Sequence, residues 1–265
     1  MSNKIVRTIQ PAIENALFKR KIIIIYGPRQ VGKTTLIRQI EAKFKGESIY
    51  LNCDEPDIRA AFSDKTSTEM KAFIGENKVI LLDEAQRVKN IGLALKLLVD
   101  TYPDLQIVAT GSSAFELSNK TSEALTGRKL EFYLYPFSLN ELKQNFSTTE
   151  MNRLLERRML YGMYPEITGL DDEQARTNLR SLAISYLFKD ALEYQDIRNP
   201  EVLEKLLQAL ALQVGQEVSY SELAGLLSIN QKTVTSYIRL LEQAFIIFPL
   251  TPYSRNLRTE LKKLR

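Results

Sequence analysis

The chain has 265 residues, 44% of them apolar, enough for a sizeable core, and its 36 basic against 32 acidic side chains leave a net charge of +4. That mild excess does not by itself imply nucleic acid. Histidine is absent, which excludes histidine-based acid–base chemistry, Ser-His-Asp triads and histidine-ligated metals; the single cysteine, Cys53, allows no internal disulfide and fits a reducing cytoplasm. The first residues carry Lys4, Arg7, Glu14, Lys19 and Arg20 with no apolar run before a cleavage site, so no signal peptide is expected. No segment approaches the roughly 18 apolar residues that span a bilayer, so no membrane association is expected.

Pro11 can open a helix at its first position, with Ile13, Ala16 and Leu17 as its apolar stripe. Ile22–Tyr26 is β-branched and apolar without alternation, the pattern of a strand buried on both faces of a parallel sheet. The alternation then repeats. Helices are expected over Thr34–Lys43, Thr66–Ile74 and Leu93–Asp100, the last with Leu93, Leu97 and Leu98 on one face. Strands are expected at Ser48–Leu51, Val79–Leu82, Leu105–Ala109 and Lys129–Leu134, and the alternation argues for an α/β layer structure. Cys53 and the acidic residues after it read as an exposed loop.

After Pro136 the pattern becomes helical. Ser138 and Glu141 have capping-box spacing, and helices are expected over Ser138–Phe146, Met151–Leu160, Asp172–Tyr194, Val202–Gln213, Ser221–Leu227 and Gln231–Gln243. The expected division is an N-terminal helix at 1–20, an α/β core at 21–147, a helical lid or linker at 148–200 and a winged-helix region at 201–265.

The chemistry is concentrated after the first strand. Gly27-Pro28-Arg29-Gln30-Val31-Gly32-Lys33-Thr34 fits G-x-x-x-x-G-K-[ST], the P-loop or Walker A motif, between a strand and a helix as the motif requires. Its glycines let successive backbone N–H groups face phosphate oxygens, and the following helix adds its positive dipole end. Lys33 then reaches the β- and γ-phosphates of ATP, and the Thr34 hydroxyl ligates Mg²⁺; Thr35 completes the loop. Arg29 is either a nucleotide contact or an exposed spacer.

The second element is Val79–Gln86, where four apolar residues end in Asp83 and Glu84, a Walker B pattern. Asp83 is placed to hold Mg²⁺ through water, and Glu84 to polarise a water for attack on the γ-phosphate. The third, Ile107–Ala114, ends a strand in Thr110, Gly111, Ser112 and Ser113, polar groups suited to a phosphate, to the attacking water or to a helix cap.

Together GPRQVGKTT, LLDEAQ, ATGSSA and LTGRKLEFYLYPFSLNEL resemble the bacterial and archaeal AAA-type ATPases in which a winged-helix region and a further C-terminal domain follow the core. The resemblance implies a five-stranded parallel sheet in the order 5-1-4-3-2, with the sensor strand between the P-loop strand and the Asp-Glu strand. It makes Lys33, Thr34, Asp83 and Glu84 the ATPase set, Ser112 a sensor-1 candidate, and Arg128 a candidate arginine finger or phosphate sensor. A structural salt bridge is the other reading of Arg128; action in trans requires a homo-oligomer. The chain departs from its relatives at Gly162–Glu166 and at Gln195, where an arginine is common. The resemblance implies a further domain after Arg265, and the expectation is either that the chain is cut short there or that this protein lacks the domain.

Near the C-terminal end, Gln216–Pro249 reads as a winged helix-turn-helix. Val234, Tyr237, Ile238 and Leu241 form the buried stripe, and Ala244–Leu250 the wing strand. The opposite face carries Gln231, Lys232, Thr235, Ser236 and Arg239, through which Lys232 and Arg239 meet duplex DNA phosphates if the helix binds DNA at all. The same face suits packing on the core or a protein partner equally well.

The expectation is a cytoplasmic Mg-ATP-hydrolysing switch. Its rival is a DNA-binding regulator or defence component in which ATP binding alone sets conformation. A small-molecule kinase is disfavoured by the helix-turn-helix pattern, and a GTPase by the lack of Asn-Lys-x-Asp.

Overall fold

The computed structural model describes residues 5–111, 124–183 and 199–250. The chain divides into two compact units, Met1–Tyr186 and Leu187–Arg265.

The first unit is built on a parallel sheet of β1 (Ile22–Tyr26), β2 (Ser48–Asn52), β3 (Val79–Asp83), β4 (Gln106–Gly111) and β5 (Lys129–Tyr133), ordered β2-β3-β4-β1-β5. This is the expected 5-1-4-3-2 order, with β4 between the P-loop strand and the Asp83 strand. Position explains composition. The three inner strands are buried at every residue, so both pleat faces must be apolar. The edge strands β2 and β5 are only partly covered and carry Tyr50, Glu131 and Tyr133.

Helices α1 (Gln10–Ala16) and α2 (Lys33–Glu41) belong to one core cluster, in which Ile13, Ala16, Leu36, Ile37 and Ile40 pack with Ile23, Ile25, Val79, Leu81 and Val108. Pro11 sits in the first turn of α1, where its missing N–H costs nothing. Between β2 and β3 lie α3 (Pro56–Phe62) and α4 (Ser67–Ile74). Helix α3 corrects the expected exposed loop after Cys53. Pro56 stands in its first turn, and Phe62 and Cys53 are fully buried. Helix α4 starts with a capping box between Thr66 and Glu69.

Helix α5 (Ile91–Thr101) buries a different face from the one expected. Ile91, Ala94, Leu95, Leu98 and Val99 are inside, whereas Leu93 is 52% exposed and Leu97 36%. The helix contacts both α4 and β4, so its covered face is centred on Leu95 and Leu98.

After β5 come α6 (Leu139–Leu142), α7 (Thr148–Arg153), α8 (Leu155–Tyr161) and α9 (Asp172–Leu182). The Ser138–Glu141 capping box is formed, as its spacing predicts. The expected single helix over Met151–Leu160 is two, divided at Leu154.

In the second unit, α10 (Pro200–Ala211), α11 (Tyr220–Leu227) and α12 (Gln231–Gln243) share one core of Leu203, Leu206, Ala209, Leu223, Ala224, Val234, Tyr237, Ile238 and Leu241. The expected α12 stripe is the buried one. Ser219 and Asn230 cap α11 and α12 by accepting from the Glu222 and Lys232 N–H groups. Residues 244–250 contain no strand, so the wing is not seen among the described residues.

Candidate functional site

The parallel sheet brings the C-terminal ends of β1, β3 and β4 side by side, the edge where open α/β sheets place ligands. The loop Gly27–Gly32 leaves β1 there and leads into α2. Gln30 (φ 58°) and Gly32 (φ 99°) take left-handed backbone on either side of Val31. Such alternation curls a loop into a concave nest of N–H groups suited to an anion. Gly32 is the residue before α2, so the nest and the positive helix end coincide. Gly27 is required for a different reason. A Cβ there would lie 2.2 Å from the Leu134 carbonyl oxygen, because the chain leaving β5 presses on the loop.

Lys33 is buried, and its ammonium lies within the loop, donating to the Gly27 carbonyl (2.9 Å) and the Pro28 carbonyl (3.0 Å). It stands 3.9 Å from Glu84 Oε1. The Thr34 hydroxyl donates to Asp83 Oδ2 at 2.6 Å. Lys33, Thr34, Asp83 and Glu84, read from two separate motifs, therefore meet in one place. Thr35 is exposed on α2, Arg29 is partly exposed, and Pro28 and Val31 are buried in the loop.

Asp83 is surrounded by hydroxyl donors. Tyr50 on β2 donates to Oδ2 at 2.8 Å, and Thr110 at the end of β4 donates to Oδ1. Burial, followed by the Asp83 hydrogen bond, pushes the Tyr50 pKa well up, so the phenol stays a donor. The Arg38 guanidinium stacks on the Tyr50 ring at 3.2 Å. Burial and then the Asp83 charge push the Cys53 thiol up to about 12, which makes it an inert packing residue.

Glu84 is held in an uncommon conformation. It is left-handed (φ 51°, ψ 45°), its N–H donates to Thr110 Oγ1 at 3.1 Å, and its Oε2 accepts from Gln86 Nε2 at 2.5 Å. A non-glycine residue in this region stores strain of about 1 kcal/mol, repaid by the surrounding contacts. Thr110 thus spans both acids. Its signal in the sequence is a hydroxyl directly after the apolar run Ile107–Ala109. Tyr50 and Gln86 have no such mark.

Two other expectations end differently. Ser112 lies outside the described residues. Arg128 is not brought to this site, a correction to its reading as a phosphate sensor for its own chain. It precedes β5 at the edge where the strands begin, with its carbonyl accepting from the Ile22 N–H. The P-loop is at the other end, about 13 Å along the strands. Arg128 instead pairs with Asp100 at 2.7 Å, the salt-bridge alternative.

The donor set at the strand ends fits Mg²⁺. A hydroxyl and a carboxylate 2.6 Å apart are hard oxygen ligands, and a magnesium ion commonly takes one or two protein groups with the remainder from substrate phosphate and water.

Fold and site define a P-loop nucleotide-binding domain. Residues 19–143 match the family model of an AAA domain, and residues 152–265 match that of a domain of unknown function. An uncharacterized protein of Methanocaldococcus jannaschii is 29% identical over 96% of this chain, and another from the same organism is 30% identical over 89%. The chain spans 62% and 58% of those two relatives' lengths. The fold is similar to that of a Walker-type ATPase of Pyrococcus abyssi, with a TM-score of 0.61, 17% identity, and coverage of 91% of this chain and 90% of that one. Residues 19–143 are accordingly similar to the AAA domain family, on a fold like that of a Walker-type ATPase. Among the described residues, no helix is long and apolar enough to cross a membrane.

Proposed function

We propose that the chain binds Mg-ATP at the Gly27–Thr34 loop and hydrolyses it, using the cycle as a conformational switch in the cytoplasm. The observation that carries this reading is the convergence of Lys33, Thr34, Asp83 and Glu84 at the C-terminal edge of the sheet, with Thr34 Oγ1 at 2.6 Å from Asp83.

The loop N–H groups and the Lys33 ammonium hold the phosphates. Lys33 turns from the Gly27 and Pro28 carbonyls to phosphate oxygens, where its charge meets the charge that develops in the transition state. Thr34 and Asp83 hold Mg²⁺, which when bound supplies neutralisation of the phosphate oxygens. Glu84 accepts a hydrogen bond from the attacking water and orients it in line with the γ-phosphate. Gln86 and Thr110 fix the Glu84 side chain and backbone for that role. The γ-phosphoryl group passes to the water oxygen, the bond to the β-phosphate oxygen breaks, and ADP and phosphate leave.

The exposed face of α12 supports duplex DNA as a partner. Gln231, Lys232, Ser236 and Arg239 are exposed there, opposite the buried stripe. Lys232 and Arg239 are placed as phosphate contacts. The test is ATP turnover with and without duplex DNA, at two salt concentrations, beside the double variant Lys232→Ala/Arg239→Ala. The expected result is DNA-stimulated turnover that weakens with salt and is lost in the double variant. Equal stimulation of the double variant would remove α12 as the contact. Turnover indifferent to DNA would assign the switch to a protein partner instead.

A further inference from the structure

Arg7 lies ahead of α1 in a segment that no motif marks, yet it is one of the most completely engaged side chains among the described residues. It is 6% exposed. Its Nε pairs with Glu141 Oε1 at 3.0 Å, its Nη1 donates to the Val31 carbonyl at 2.8 Å, and its Nη2 donates to the Tyr135 carbonyl. The guanidinium stacks on Phe137 with 4.8 Å to the ring centre.

Glu141 is 2% exposed and is itself anchored. It accepts from the Thr8 N–H at 2.7 Å and from the Ser138 N–H at 2.8 Å. Burial pushes its pKa up, but these two backbone bonds and the Arg7 charge outweigh that and hold the carboxyl below its usual range. The segment is pinned again one residue earlier, where Val6 and Gln144 exchange two hydrogen bonds of 2.9 and 2.7 Å.

A buried ion pair is a poor device for stability alone, since the desolvation of both charges offsets most of their attraction. What this one does contribute is direction. Val31 is the P-loop residue before Gly32, and Nη1 is the nearest atom, at 3.6 Å, to a Cβ built on Gly32. The C=O and N–H of a trans peptide point in opposite directions. Drawing the Val31 carbonyl outward to Arg7 therefore turns the Gly32 N–H inward, towards the phosphate nest. The Tyr135 carbonyl, one residue beyond the Leu134 carbonyl that presses on Gly27, is held by the same guanidinium.

We infer that Arg7 is a positioning residue for nucleotide binding: it clamps the Val31–Gly32 peptide so that the Gly32 N–H faces the phosphates, and Glu141 orients the clamp. The inference rests on the ATPase reading above. The planar fork of Arg7 reaches three acceptors in fixed directions, which a single ammonium cannot do. Arg7→Lys keeps a positive charge beside Glu141 while releasing the peptide, and is the informative variant.

The experiment measures Kd for ADP, KM and kcat for ATP, and thermal unfolding without nucleotide, for wild type, Arg7→Lys and Glu141→Gln. The expected result for Arg7→Lys is an increase of about tenfold or more in both Kd for ADP and KM for ATP, with a smaller change in kcat. Glu141→Gln keeps one of the two acceptor oxygens, loses the charge that orients the clamp, and is expected to shift the same constants in the same direction, less far. Wild-type ADP affinity in a folded Arg7→Lys protein would overturn the inference and leave Arg7 a structural residue. Should Arg7→Lys fail to fold, wild-type ADP affinity in folded Glu141→Gln would overturn it equally. Failure of the wild type itself to bind ADP would overturn both the inference and the ATPase reading.

Discussion

Glu84→Gln is expected to lower ATP turnover about 100-fold or more while ATP binding stays close to that of the wild type. The substitution keeps the shape of the side chain. Its carbonyl oxygen can still accept the bond that Gln86 Nε2 now donates to Oε2, at 2.5 Å, so the strained backbone at this position keeps its support. What is lost is the carboxylate that, in the proposed reaction, attracts and orients the water. Lys33, 3.9 Å from Glu84 Oε1, remains in the loop through the Gly27 and Pro28 carbonyls, so phosphate binding does not depend on the acid. Equilibrium binding of ATP beside phosphate release, on the same preparations, separates the two effects. Undiminished hydrolysis by Glu84→Gln would remove Glu84 from the mechanism. A parallel loss of binding would mean that the acid shapes the loop rather than the water.

Gly27→Ala is expected to be the most damaging single-methyl change in the P-loop. The added carbon would lie 2.2 Å from the Leu134 carbonyl oxygen and 3.2 Å from Val31 Cγ1. The Leu134 carbonyl cannot simply withdraw. Its residue is fully buried, and its N–H donates to the Tyr26 carbonyl at 2.8 Å, continuing the β1–β5 pairing. The loop must move instead, and the Lys33 ammonium is bonded to the Gly27 carbonyl that would move with it. Overpacking of this kind costs about 1–3 kcal/mol of stability. The displaced loop is expected to weaken ATP binding by about tenfold or more, since sub-ångström misplacement of binding groups is costly. Thermal unfolding and ATP titration read the two losses separately. A variant with wild-type ATP affinity would show that the phosphates do not rest on this loop.

The parts of the molecule that are legible in the amino-acid sequence are those in which local chemistry leaves few choices. Ile22–Tyr26 and Val79–Leu82 are apolar without alternation because they are covered on both sides, and that pattern alone marks inner strands of a parallel sheet. The P-loop is legible because a glycine pressed against the Leu134 carbonyl and another in left-handed backbone leave residue-level signatures. The stripe on α12 is legible because one face of that helix is covered and the other is not.

Other features are hidden because their cause is distant. Leu93 and Leu97 have the spacing of a buried face of α5, yet α4 and β4 cover the neighbouring one, and tertiary contact overrides the simplest stripe. Pro56 reads as part of a loop because an acidic turn and the first turn of a helix share the same residue types. Arg128 reads as an arginine finger, a phosphate sensor or half of a salt bridge, and the choice is made by the pairing of β1 with β5, which puts it where the strands begin, beside Asp100. Arg7 carries no signal at all. Glu141 is legible as half of a capping box, while its second attachment, 134 residues back in the chain, can be found only in three dimensions.

Phosphate release from ATP in the presence of Mg²⁺, by the wild type and by Lys33→Ala, tests the central claim most directly. Removal of one preorganised charge at a reacting phosphate is expected to cost about 100-fold or more in turnover. Wild-type turnover that disappears in Lys33→Ala is the predicted result. Equal turnover by the two proteins, or none by a folded wild type that binds no ATP, would contradict it.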